Sequence, residues 1–213
     1  VLLNGEPLFL RGVCIHEEAP YRSARAYSEE DAEALLGWAK EMHCNFARLA
    51  HYPHNENITR TADEMGVLIW SEVPVYWTIQ WDNAETYENA ENQLEEMIHR
   101  DKNKASVALW SVANETPLSE DRLIFLRKLV ERTEDLDQTR FTTAAMERHY
   151  LDDGVTLMID DPLGEYVDVL GVNEYIGWYD GLPAKAEKVK WETAYNKPVI
   201  FSEFGGGALY NYH

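Results

Sequence analysis

Seven short apolar runs recur along the chain, at Leu8–Ile15, Asn45–Ala50, Val67–Glu72, Val107–Val112, Phe141–Ala145, Val167–Val172 and Pro198–Phe201. Most lack the strict alternation of a half-exposed strand, which is the pattern of parallel strands buried on both faces. Between the runs the spacing predicts amphipathic helices. Ser28-Glu29-Glu30-Asp31 has the form of a capping box with Asp in the Glu position, and Ala32, Leu35, Leu36, Ala39 and Met42 mark one face after it. Ile58, Ala62 and Met65 mark a second helix closed by Gly66, and Ala90, Leu94, Met97 and Ile98 mark a third. Leu123, Leu126, Val130 and Thr133 mark a fourth, with Ser119 as its N-cap. A further helix is expected within Ala184–Tyr195, irregular structure over Glu147–Glu165, and a short extended segment with a turn at Val1–Pro7. Trp38 and Trp70 read as core or helix–sheet packing.

Strands alternating with helices define an α/β chain with a parallel sheet. No Gly-rich phosphate loop follows any early strand, so a (β/α)8 TIM barrel fits better than a doubly wound sheet. No eighth strand is recognisable where the chain reads Gly205–His213, and 213 residues fall short of the ~250 typical of that barrel. The expectation is therefore one barrel domain over 1–213, seven strands of eight, belonging to a larger multidomain chain. A gap should separate the first and seventh strands.

Composition narrows the partners. Thirty-eight Asp and Glu against nineteen Lys and Arg give a net charge of −19, a field that repels phosphate backbones and anionic membranes. Neither nucleic acid nor membrane is expected as a partner, and no apolar run approaches the ~20 residues of a membrane span. No segment of signal type opens the chain, so the default location is cytoplasmic, with that of a longer parent and the oligomeric state left open. Cys14 and Cys44 lack metal or redox spacing and read as reduced core thiols.

In a barrel, chemistry gathers where strands end at the carboxyl face. The first strand runs into His16-Glu17-Glu18; the second carries Arg48 and runs into His51-Tyr52-Pro53-His54-Asn55. The third ends at Glu72, before Tyr76-Trp77; the fourth at Asn114-Glu115. The fifth exits near Glu147, Arg148 and His149, the sixth into Asn173-Glu174-Tyr175 with Trp178 and Tyr179 beyond, and the seventh at Ser202-Glu203-Phe204-Gly205. Carboxylates, imidazoles, an Arg and aromatic plates thus converge on one rim, a mixture that suits sugars, whose rings have apolar faces and polar edges. Glu115 and Glu203, on strands that face each other across the mouth, form the sharpest pair: two carboxyls ~5–5.5 Å apart run retaining glycoside hydrolysis.

Three motifs carry a resemblance. Asn45-Phe46-Ala47-Arg48-Leu49-Ala50-His51-Tyr52-Pro53 with Asp63-Glu64-Met65-Gly66-Val67-Leu68-Ile69-Trp70, then Asp101 to Glu115, then Ser202-Glu203-Phe204-Gly205, resemble the signatures of glycoside hydrolase family 2 over nearly the whole chain. Leu49 and Lys104 depart from the family's usual residues. The resemblance implies a hydrolase of terminal β-linked sugars, of the β-galactosidase or β-glucuronidase type, acting by a two-carboxylate double displacement. Glu115 would be the acid/base and Glu203 the nucleophile. Asn114 would bind the sugar 2-hydroxyl, Arg48 and Tyr175 would stabilise Glu203, and His51, His16, Asn173 and Trp178 would contact substrate. For both histidines a structural role is the equal alternative, and for Trp77, Trp178 and Tyr179 loop packing is. Glu72 and Glu174 are expected to support the site.

Some β-galactosidases of the family hold magnesium through a Glu and a His just beyond strand 3. This chain reads Val73-Pro74-Val75-Tyr76-Trp77-Thr78 there, so neither a metal nor another cofactor is expected. β-Sandwich domains precede the barrel in the family and are expected in the parent chain. The alternative from another class is an inactive fragment or sugar-binding barrel that retains the site.

Overall fold

The computed structural model describes residues 1–207. Seven strands form one parallel sheet in sequence order: β1 (Gly12–Ile15), β2 (Phe46–Leu49), β3 (Leu68–Glu72), β4 (Val107–Asn114), β5 (Phe141–Met146), β6 (Val169–Asn173) and β7 (Val199–Glu203). Helices α1 (Glu29–Glu41), α2 (Glu56–Met65), α3 (Ala84–Asp101) and α4 (Glu120–Leu136) cover β1–β5. The expected strands are all present, within a few residues of their predicted ends. Each helix is capped: Ser28 and Asp31 form the reciprocal capping box of α1, and Asn55, Asn83 and Ser119 cap the next three. Gly66 ends α2 in the left-handed conformation at φ +66°.

The sheet sorts its side chains into two layers. Ala47, Leu49, Ile69 and Val112 face the helices and join Leu36, Ala62, Leu94, Ile98, Leu126 and Leu129 in the larger core. Phe46, Trp70, Leu109 and Val169 pack together inside the barrel near the strand starts. The Trp70 ring reaches so far across that a Cβ on Gly171 would lie 2.5 Å from it, which is why β6 carries a glycine there. Arg48, Glu72, Ser111 and Asn173 are buried polar residues of the same four strands, β2, β3, β4 and β6. This polar middle is the foundation of the mouth.

Among the described residues no ladder joins β1 to β7; a single side-chain hydrogen bond, Cys14 Sγ to the Ser202 carbonyl at 3.1 Å, spans the edges. The expected gap is therefore present but narrow. From Ala208 onward the Gly205–His213 stretch lies outside the described residues. The edge leaves Phe201 45% exposed on β7, against the Trp191 ring.

Several expectations are corrected. Ala184–Tyr195 holds a 3-10 turn, Pro183–Glu187, and then a strand, Lys190–Thr193, instead of a helix. That strand completes a small sheet with His149–Tyr150 and Thr156–Ile159, so Glu147–Glu165 is more regular than its sequence suggests. The Val1–Pro7 segment is a minimal antiparallel pair, Leu2–Leu3 with Glu6–Pro7. Trp38 is 42% exposed and meets Tyr21 edge-on, and Met42 is exposed just past the end of α1. Cys14 is exposed and Cys44 half-buried, so neither is a core thiol; both are free.

Candidate active site

Glu72 sits at the end of β3 with no exposure at all. Every group within its reach donates: Arg48 Nη2 at 2.9 Å, His51 Nδ1 at 2.7 Å, Trp70 Nε1 at 2.8 Å and Ser111 Oγ at 2.8 Å. Burial pushes its carboxyl up, but Arg48, His51 and Ser111 together hold it below the ordinary carboxylate range.

Arg48 is the hub, 2% exposed and stacked over Trp70. Its Nη2 also donates to Asn114 Oδ1 at 2.7 Å, and its Nη1 to Glu203 Oε1 at 2.5 Å. Burial pulls the guanidinium down, while Glu72 and Glu203 hold it above its ordinary value. Asn173 donates to Asn114 Oδ1 at 3.0 Å and to Glu115 Oε1 at 2.8 Å, and its own Oδ1 accepts from Ser202 Oγ at 2.7 Å. Glu115 and Glu203 thereby hang on one frame, at the carboxyl ends of β4 and β7.

Glu115 takes the left-handed conformation, φ +49°, where the chain leaves β4. Its N–H donates to the Ala145 carbonyl at 2.9 Å, and its Oε2 accepts from Trp77 Nε1 at 3.2 Å. Glu203 accepts from the Tyr175 hydroxyl as well as from Arg48. Burial, and then that hydrogen bond to Glu203, push the Tyr175 hydroxyl well up. His51 Nδ1 faces Glu72, so the proton belongs on that nitrogen and Nε2 is left 3.6 Å from Glu203 Oε1. His16 lies edge-on to His51 and meets Tyr52 Oη at 3.3 Å.

These groups open onto a cleft of about 820 Å³, lined among others by His16, His51, Asn114, Glu115, Asn173, Tyr175 and Glu203. Arg48 lies beneath it. Trp178 is not among the residues lining the cleft; its indole lies against Gly206 and Gly207. The aromatic wall is Tyr52, Tyr76, Trp77, Tyr175 and Tyr179. Asp180 joins the lining without having been foreseen, because only the fold of the loop after β6 brings it back. No cluster of three or more His, Cys, Asp or Glu side chains among the described residues is arranged to hold a metal.

A parallel barrel with its polar groups at the carboxyl mouth is a TIM-barrel domain of the kind that carries chemistry on its strand exits. Residues 1–211 match the family model described as glycosyl hydrolases family 2, TIM barrel domain, and the chain belongs to that family. It is 32% identical over its whole length to a β-glucuronidase of Sus scrofa and 30% identical to one of Paenibacillus borealis, spanning 33% and 37% of those proteins. The chain thus covers about a third of the length of these relatives. Among solved structures, a GH2 β-galacturonidase from Eisenbergiella tayi bound to galacturonate superposes with TM-score 0.82 at 25% identity, over 99% of this chain and 38% of that one. A β-D-glucuronidase of Dictyoglomus thermophilum gives 0.79 at 27% identity, over 98% and 38%.

Proposed function

We propose that the chain is the catalytic barrel of a retaining β-glycosidase whose substrates carry a terminal β-linked hexuronic acid. One observation carries the reading: Glu115 and Glu203 end β4 and β7 at the mouth of one cleft, tied to the same Arg48–Asn173 frame. The names of the relatives, glucuronidases and a galacturonidase, favour a hexuronide over a neutral galactoside.

In the first step Glu203 attacks the anomeric carbon and the bond to the leaving oxygen breaks. Arg48 and the Tyr175 hydroxyl, both donating to Glu203, stabilise its negative charge before attack. Glu115 gives its proton to the departing oxygen, leaving a sugar ester on Glu203. In the second step Glu115, now a carboxylate, takes a proton from water as that water attacks the anomeric carbon and the bond from that carbon to Glu203 breaks. The sugar leaves with its configuration retained and Glu203 is regenerated. The Oδ1 of Asn114 is occupied by Arg48 and Asn173, which leaves its Nδ2 to donate to a sugar hydroxyl.

A 2-deoxy-2-fluoro-β-glucuronyl fluoride tests this reading, since it forms the ester quickly and releases it slowly. Mass spectrometry of the digested protein is expected to find the fluorosugar on the peptide containing Glu203. Binding without any adduct would favour a sugar-binding barrel, and an adduct on another carboxylate would reassign the nucleophile.

A further inference from the structure

Of the residues lining the cleft, Arg148 is the one Lys or Arg, beside His16 and His51 and five carboxylates, Glu115, Glu147, Glu174, Asp180 and Glu203. Its Nε donates to Glu174 Oε2 at 3.1 Å. Glu174 is buried, so that edge of the guanidinium is anchored from below. Among the described residues neither Nη makes a hydrogen bond or ion pair within the protein, although the side chain is only 32% exposed. A planar fork held by one edge beside a cleft, with its two outer nitrogens unpartnered among the described residues, matches the two oxygens of a carboxylate or sulfate. The second observation is position. The Glu115 N–H rests on the carbonyl of Ala145, three residues before Arg148 on the same strand exit. Glu147, between them, lines the same cleft; burial pushes its carboxyl up, the neighbouring charge of Arg148 offsets part of that rise, and Glu115 adds to it. The β5 exit therefore flanks Glu115, the group that protonates the leaving oxygen in the function proposed above. What lies on that flank during the reaction is the leaving group, not the sugar that becomes attached to Glu203.

We infer that Arg148 forms a leaving-group subsite that selects aglycones carrying a carboxylate or sulfate beside the scissile bond. The inference rests on the glycosidase reading and adds to it the chemical class of the aglycone. No covalent chemistry passes through Arg148; it binds and orients.

The test compares two chromogenic β-D-glucuronides, one of 4-nitrophenol, whose aglycone is neutral, and one of 2-carboxy-4-nitrophenol, whose carboxylate is ortho to the glycosidic oxygen, in the wild-type protein, Arg148→Gln and Arg148→Lys. The quantity read is the ratio of kcat/KM for the carboxylated over the neutral aglycone. Arg148→Gln is expected to lower that ratio by about tenfold, the worth of one charge-assisted contact, and Arg148→Lys to retain part of it. In the wild type the ratio should also fall as ionic strength rises from about 0.05 to about 0.5 M, a readout that needs no variant to fold. A ratio indifferent to both the substitution and the salt overturns the inference. So does a loss seen instead between a glucuronide and a galactoside of one neutral aglycone, which would assign Arg148 to the sugar. Hydrolysis of the neutral glucuronide with an unmoved ratio leaves the glycosidase reading standing; hydrolysis of neither substrate takes both down.

Discussion

Replacing Glu72 by Gln keeps the volume of the side chain and changes only its charge and one of its oxygens. That oxygen matters because five donor atoms surround Glu72, from Arg48, His51, Trp70 and Ser111, and the three from Arg48 and Trp70 can only donate. An amide nitrogen in that position turns two N–H groups toward donors. It also leaves Arg48, 2% exposed, with Glu203 as its one remaining carboxylate partner. Removing one partner of a buried pair costs about 3–5 kcal/mol when the other is left unpaired, so with Glu203 still in place the variant should lose up to that much in urea unfolding at neutral pH. The pH dependence gives a sharper check. The folded-state pKa of Glu72 is held below its ordinary value, so its stabilisation is complete above the ordinary carboxylate range and is lost as pH falls through the folded pKa. In that window the unfolded chain binds a proton that the native state does not. The wild-type curve should therefore fall by up to about 1.4 kcal/mol per pH unit on account of this group, and the variant's should not. The gap between the two stabilities is expected to narrow below about pH 4.3. A loss under about 1 kcal/mol at neutral pH, or two curves that stay parallel to low pH, would refute the reasoning.

Three further predictions follow from the same geometry. Arg122 and Asp161 form a fully buried bidentate pair at 2.6 and 2.7 Å, so Arg122→Ala should cost about 3–5 kcal/mol, and Arg122→Met with Asp161→Leu less than that, as read by denaturant midpoints. Tyr175→Phe removes a hydroxyl donating to Glu203 and should lower kcat/KM by about tenfold to a hundredfold with an unchanged fold, as measured by steady-state kinetics and circular dichroism. Burial pushes His54 down to about 4, so between its ordinary value and there the unfolded chain takes up a proton that the native state refuses. Stability should decline as pH falls through that window, and His54→Asn should flatten that decline in urea titrations at pH 7, 6 and 5.

Much of the barrel is legible in the sequence because buried parallel strands are continuous apolar runs and helices declare their caps. Glu115 and Glu203 stand out because strand ends in this fold share one face, a rule of position that needs no side-chain geometry. What the sequence hides depends on contacts between distant segments. Arg122 carries no signal in the apolar pattern of α4; its partner Asp161 lies 39 residues later in the chain. Trp77 and Trp178 look alike as aromatics after a strand exit, yet Trp77 donates to Glu115 while Trp178 covers a glycine backbone. Trp70 reads as packing but also gives Glu72 a hydrogen bond, since its ring spans the barrel interior. The strand at Lys190–Thr193 is set by pairing with Thr156–Ile159, a partner no local periodicity reveals.

The division of labour between the two carboxylates is tested most directly by the anomer of an azide product. Glu115→Ala leaves Glu203 with Arg48 and Tyr175, so an aryl β-glucuronide with a good leaving group should still form the ester, and its release should become slow. Azide entering the space Glu115 vacates should restore turnover and give the β-glucuronyl azide, identified by its anomeric proton coupling in NMR. Rescue found only in a Glu203→Ala protein, with the α-azide as product, would contradict the account and exchange the two roles.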